Sequence, residues 1–109
     1  MPHKAPLHAA AKEDAVFILA AELLRAVAAP MRLKIISALC NGEKNVSELL
    51  EQVRTTQPNM SQHLNTLYKA GVLARRREGV SNYYSIANEQ VVNICRSVCV
   101  QIAIAQEEN

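Results

Sequence analysis

Apolar residues recur at spacings of three and four along the first part of the chain, at Val16, Leu19, Ala20, Leu23, Leu24 and Val27. That is the period of one helix face and predicts a helix from about Ala10 to Ala28. Phe17 and Ile18 widen the stripe beyond what one small core can cover, so part of this helix is expected to serve as a subunit interface. Residues 1–9, with Pro2, His3, Pro6 and His8, show no such period. They are expected to form a mobile N-terminal tail, with residues 10–109 as a single domain.

Pro30 stands where a first-turn proline belongs, and Leu33, Ile36, Leu39 and Cys40 continue a second helix that stops at Asn41-Gly42. Asn45 and Glu48 have the spacing of a capping box, ahead of Leu49, Leu50 and Val53 on one face of a short third helix. Thr56 is the next candidate N-cap, with Pro58 in the tolerant first turn. Met60, Leu64, Leu67 and Tyr68 form the expected buried stripe of a fourth helix that ends at Gly71. Two short helices with a tight connection suggest a helix-turn-helix.

After Gly71 the period changes. Val72–Arg77 and Asn82–Ile86 carry strand residues around Glu78-Gly79-Val80-Ser81, the pattern of a β-hairpin. The helical period returns from Asn88, with Val91, Cys95, Val98 and Ile102 on one stripe and Val92 and Cys99 beside it. The last helix, like the first, is more apolar than a lone domain requires. The expected fold is therefore mainly α with one small β-hairpin.

Composition narrows what such a fold can do. A chain of 109 residues has room for one core and no catalytic domain beside it. Half of it is apolar, yet it holds only three Tyr, one Phe and no Trp, so Leu, Ile, Val and Ala must fill the interior. No apolar run approaches the roughly 18 residues of a membrane span, and Met1-Pro2-His3-Lys4 does not begin a secretion signal, which predicts a cytoplasmic protein without a membrane partner. No cluster of carboxylates, Ser-His-Asp set or glycine-rich phosphate loop is present, so an enzyme is not expected. The net charge of +2 is unevenly spread: between Arg54 and Ile86 stand Arg54, Lys69, Arg75, Arg76 and Arg77 against Glu78 alone. Basic potential thus gathers on the segment that holds the fourth helix and the hairpin.

Opposite its apolar stripe, the fourth helix carries Asn59, Ser61, Gln62, Asn65 and Thr66, amides and hydroxyls without an acid. Asn and Gln offer the donor and acceptor pair that matches adenine in the major groove, and Ser and Thr reach bases or phosphates. A polar helix face alone is ordinary solvated surface. Its place as the second helix of a helix-turn-helix, followed by a basic hairpin, points instead to double-stranded DNA. Successive residues of Arg75-Arg76-Arg77 point to alternate faces of the first hairpin strand, so at least one should reach phosphate. His63, on the flank of the fourth helix, is a candidate either for phosphate contact or for packing the helix pair.

The stretches Leu24-Arg25-Ala26-Val27-Ala28-Ala29-Pro30-Met31-Arg32-Leu33-Lys34-Ile35-Ile36, Asn45-Val46-Ser47-Glu48-Leu49, Ser61-Gln62-His63-Leu64-Asn65-Thr66-Leu67 and Ala70-Gly71-Val72-Leu73 resemble the ArsR/SmtB family of transcriptional repressors. The resemblance runs from the first helix onward. It implies an α-α-α-α-β-β-α winged helix-turn-helix, a homodimer made by the first and last helices, and repression at an operator relieved by a chemical signal. It also implies that Gln57, Asn59, Ser61, Gln62 and His63 face DNA, and the capping Thr56 is expected to join them as a DNA-binding residue.

For the signal, the family's patterns fall on residues that do not carry them here. The zinc pattern of the last helix falls near Asn88, Gln90, Gln101 and Ile104, the arsenical and cadmium pattern on Val46 and Ser47, and the persulfide pattern near Ser37 and Ala103, one helical turn from Cys40 and Cys99. Three cysteines, Cys40, Cys95 and Cys99, are too few and too odd in number for a disulfide framework. Cys95 and Cys99, four apart on one helix, place their Cβ atoms roughly 6 Å from each other, a spacing suited to two legs of a soft-ion site, with Cys40 as a third sulfur or an oxidation partner. A soft metal or metalloid is the cofactor class these thiols suggest, none being needed for the fold. Two alternatives stay open: all three cysteines pack inertly in a constitutive DNA-binding regulator, or the winged helix serves protein interaction alone.

Overall fold

In the computed structural model, residues 7–108 are described, with side chains from Lys12 onward. The order is α1 (Leu7–Val27), α2 (Pro30–Leu39), β1 (Lys44–Asn45), α3 (Val46–Gln52), α4 (Gln57–Lys69), β2 (Leu73–Glu78), β3 (Ser81–Ile86) and α5 (Glu89–Glu107). The first helix starts at Leu7 rather than Ala10, so the last three residues of the expected tail are helical; residues 1–6 of that tail lie outside the described residues.

Local chemistry sets the boundaries. Pro30 opens α2, its fixed φ and missing N–H both suiting a first turn. The capping box on α3 is complete: Asn45 Oδ1 accepts from the Glu48 amide at 2.8 Å, and Glu48 Oε1 accepts from the Asn45 amide at 2.9 Å. Thr56 Oγ1 accepts from the Asn59 amide at 3.2 Å and starts α4. Gly71 follows the end of α4 with φ 78, a left-handed value that needs no Cβ to be absorbed. Asn88 caps α5 by accepting from the Val91 amide at 3.1 Å.

The hairpin is tighter than the sequence pattern suggested. Glu78 pairs with Ser81, so the loop is only Gly79-Val80. Gly79, the first loop residue, has φ 61, and among the described residues only glycines take a positive φ; a glycine there is what a type II′ turn requires. A third strand joins the hairpin: β1 pairs antiparallel with β3 through Lys44↔Tyr84 and Asn45↔Tyr83, giving the order β1-β3-β2. Two residues are too few to show a period of two, so the sequence carried no signal for β1.

One apolar core joins these elements. Ile35, Ile36 and Leu39 of α2, Leu49 of α3, and Met60, Leu64 and Leu67 of α4 are buried with Val72, Leu73, Tyr84, Val91, Val92 and Cys95. Tyr68 does not belong to it. It lies exposed at the end of α4, its ring covered by an arginine of β2 rather than by the core. Among the described residues no helix is long and apolar enough to cross a membrane.

Both terminal helices leave apolar side chains uncovered. On α1, Val16, Phe17, Ile18 and Leu19 are exposed, Phe17 at 71%; on α5, Val98 is 50% exposed and Ile94 and Ile102 are exposed with it. The single protomer thus has no use for either stripe, as the breadth of the sequence pattern predicted.

Candidate nucleic-acid interface

The core presses one face of α4 inward through Met60, Leu64 and Leu67, each at 0% exposure. The opposite face is fixed by that anchoring. Gln57, Asn59, Ser61, Gln62 and Asn65 are exposed there, and no residue of α4 is acidic. The side chain of Thr56 is exposed at the helix start, with its oxygen engaged in the cap. Thr66 is half-buried and its hydroxyl donates to the Gln62 carbonyl at 3.1 Å, which turns it from the exposed polar face toward its own helix. His63 is half-buried, and its Nδ1 accepts from Arg32 Nε at 3.2 Å, a packing contact between α2 and α4.

The three arginines of β2 part company. Arg75 lies over the Tyr68 ring at 4.2 Å from its centroid, so this side chain is bracketed to the end of α4. Arg77, two residues on and therefore on the same strand face, donates from Nε to the Gly79 carbonyl at 3.2 Å. Arg76 points to the other face. It meets Glu43 through Nη2 at 2.7 Å and Nε at 3.2 Å, meets Glu78 through Nη1 at 2.7 Å, and lies over Tyr83 at 4.8 Å. The Arg76 guanidinium holds the Glu43 carboxyl below its ordinary value, and the two carboxylates push the guanidinium above its own. Arg76 is thus engaged by two carboxylates on the opposite strand face from Arg75 and Arg77. Sequence alternation alone separated Arg76 from its neighbours but could not reveal Glu43, which is 33 residues away.

The thiols also divide. Cys95 is buried and Cys99 exposed, and both line a cavity of about 190 Å³ with Leu33, Ile36, Ser37, Arg96 and Val100. Burial, and after it the neighbouring Cys99, push the Cys95 thiol above its ordinary value, which favours the protonated form. Cys40, exposed at the end of α2, lines a different cavity of about 420 Å³ beside Glu43, Glu89 and Arg96. The four-residue spacing therefore does bring two thiols to one space, and the third faces another. Among the described residues no three His, Cys, Asp or Glu side chains gather closely enough to hold a metal ion.

An acid-free helix face beside a short antiparallel wing, both held on one helical core, defines a winged helix-turn-helix of the DNA-binding type. The model of the bacterial regulatory proteins of the ArsR family matches residues 29–75, from the start of α2 into the wing. An uncharacterised HTH-type transcriptional regulator from Methanocaldococcus jannaschii is 39% identical over 80 residues, covering 72% of this chain and 90% of that protein. The transcriptional repressor PagR of Bacillus anthracis is 40% identical over 77 residues, covering 70% and 77% respectively. Among solved structures, the homodimeric winged helix-turn-helix DNA-binding domain of a possible ArsR-family regulator from Mycobacterium bovis matches with a TM-score of 0.78 at 27% identity, covering 100% of this chain and 96% of that one. The chain belongs to the ArsR family of DNA-binding transcriptional regulators.

Proposed function

We propose that the protein is a cytoplasmic, homodimeric repressor that reads operator DNA with α4 and is released by a thiol-reactive signal at α5. The observation that carries the reading is the pairing of an acid-free polar face on α4 with unused apolar stripes on α1 and α5. A dimer closed by those stripes presents two copies of α4, and two recognition helices about 34 Å apart fit successive major grooves. Gln57, Asn59, Ser61 and Gln62 then face base edges, while Arg75 and Arg77 take phosphate beside them. Arg76 braces the wing.

The signal reading rests on the cavity shared by Cys95 and Cys99, between α2 and α5. A soft ion, an arsenical or a sulfane-sulfur donor joining those sulfurs changes how α5 lies against α2. Because α5 also carries the interface stripe, that change reaches the spacing of the two α4 helices. A coupling of about 1–3 kcal/mol lowers DNA affinity roughly 5–150-fold. The burial of Cys95 supports a second reading, in which it packs as a small apolar residue and the signal acts elsewhere.

The experiment is fluorescence anisotropy on a duplex that the protein enriches from a random-sequence pool, with and without arsenite, a thiophilic metal or a polysulfide. Release of the wild type but not of a Cys95→Ser/Cys99→Ser variant is expected. A serine variant, extended to Cys40→Ser, that responds in full would assign the cysteines to packing.

A further inference from the structure

One side chain of α2 touches both the end of the interface helix and the recognition helix. Arg32 Nη1 donates to the Ala26 carbonyl at 3.1 Å, and its Nε donates to His63 Nδ1 at 3.2 Å. Ala26 lies in the last turn of α1, where carbonyls have no intrahelical partner and a cation is favourably placed against the helix dipole. The guanidinium is the only side-chain head that can supply both donors from one rigid fork; an ammonium on a flexible stem is a point charge without that geometry. Among the described residues no carboxylate pairs with Arg32, so its positive charge is not spent on a salt bridge beside α4.

The contact also decides the chemistry of the imidazole. A neutral ring has one donor and one acceptor nitrogen. With Nδ1 accepting from Arg32, the ring proton sits on Nε2, which makes no hydrogen bond to another described residue. His63 thus packs through one nitrogen and keeps a donor on the other, and the two readings of this residue become compatible.

We infer that Arg32 is a positioning residue for operator recognition: its fork ties the end of α1 to α4 and fixes His63 as an Nε2–H donor for a DNA phosphate. The inference rests on the DNA-binding reading above and adds to it the link between interface helix and recognition helix. Neither Arg32 nor Ala26 need touch DNA for it to hold.

One isostere removes the contact from the side of the ring: in His63→Gln the amide nitrogen reaches the place of Nε2 and the acceptor for Arg32 is lost. Affinity of the full chain is measured by anisotropy on the pool-enriched duplex, and folding by circular dichroism. Ring 15N shifts of the free protein report the tautomer without DNA. Arg32→Met is expected to weaken operator binding about tenfold, the scale of losing a hydrogen bond to a charged group. Arg32→Lys, which keeps the charge, is expected to restore only part. The Arg32→Met/His63→Gln double variant should lose no more than the larger single loss, because both remove one contact. The wild-type ring should show protonated Nε2 and bare Nδ1, and Arg32→Met should mix the tautomers. Losses that multiply, a wild-type ring protonated on Nδ1, or a folded Arg32→Met with unchanged affinity would overturn the assignment of Arg32. Failure of the wild type to enrich any duplex would instead overturn the DNA-binding reading and the recognition role with it.

Discussion

In the proposed dimer, replacing Arg77 by alanine removes two side chains from the strand face to which phosphate contact is assigned above, one per subunit. Each phosphate contact contributes about 0.9 to the slope of log affinity against log salt on duplex DNA, so two contacts contribute about 1.8. Between 50 and 200 mM salt, a fourfold change, the wild type should therefore lose about 12-fold more affinity than Arg77→Ala. Arg75→Ala should act alike, with a further loss of wing placement because Arg75 stacks on Tyr68 at the end of α4. Arg76→Ala is the control within the same tripeptide. Its cation is already faced by Glu43 and Glu78 at 2.7 Å each, so removing it should leave the slope nearly as in the wild type. The assay is anisotropy on one duplex over a series of potassium chloride concentrations. If Arg76→Ala lowered the slope as much as Arg77→Ala, the division of the three arginines between strand faces would not describe the bound state.

Gln62→Ala should lose about 1–3 kcal/mol of discrimination between bases while random duplex is bound as before, measured by competition with single-base variants of the enriched site. Val98→Asp places a charge in the middle of the exposed α5 stripe and should convert the dimer to an unstable monomer in sedimentation; a variant that remains a stable dimer would remove α5 from the interface. The Glu43 carboxyl is held below its ordinary value of 4.5 by Arg76, so its contribution to wing stability is present above the ordinary carboxylate range and is lost as pH falls through the lowered value. The difference in Tm between wild type and Glu43→Ala should accordingly be constant from pH 6 to 8 and shrink toward pH 3; a difference that grew on acidification would contradict the clamp. Cys40, exposed at the end of α2, should react with iodoacetamide before Cys95, and the Cys95 rate should climb only at alkaline pH, followed by mass spectrometry.

How much of the fold and of the candidate interface is legible in the sequence varies with the range of the interaction. Caps and turns are written within four residues of themselves, and so the Asn45–Glu48 box, the Thr56 cap and the turn at Gly79 were found where their residue types required them. The broad stripes on α1 and α5 were visible as an excess over one core, and their exposure confirms that excess. Tyr68 misled because an aromatic at helical spacing ordinarily packs inward; here Arg75 covers it from outside. The long-range side-chain contacts were illegible for another reason. Glu43 meets Arg76 and Arg32 meets His63 across 33 and 31 residues, and no local pattern encodes a partner at that distance. β1 belongs with them, since its two residues acquire a strand identity only from β3. The four-residue spacing puts Cys95 and Cys99 beside one cavity but could not place Cys40, whose cavity is closed by residues of β3 and the start of α5.

The central claim, that an acid-free α4 face reads sequence, is tested most directly by the ratio of affinities for the enriched duplex and for a random duplex of equal length at about 150 mM salt. The account predicts a ratio of about 10³ or more, falling when Gln62 is replaced. A ratio near one in the wild type would contradict it and leave the chain a basic winged helix without a code.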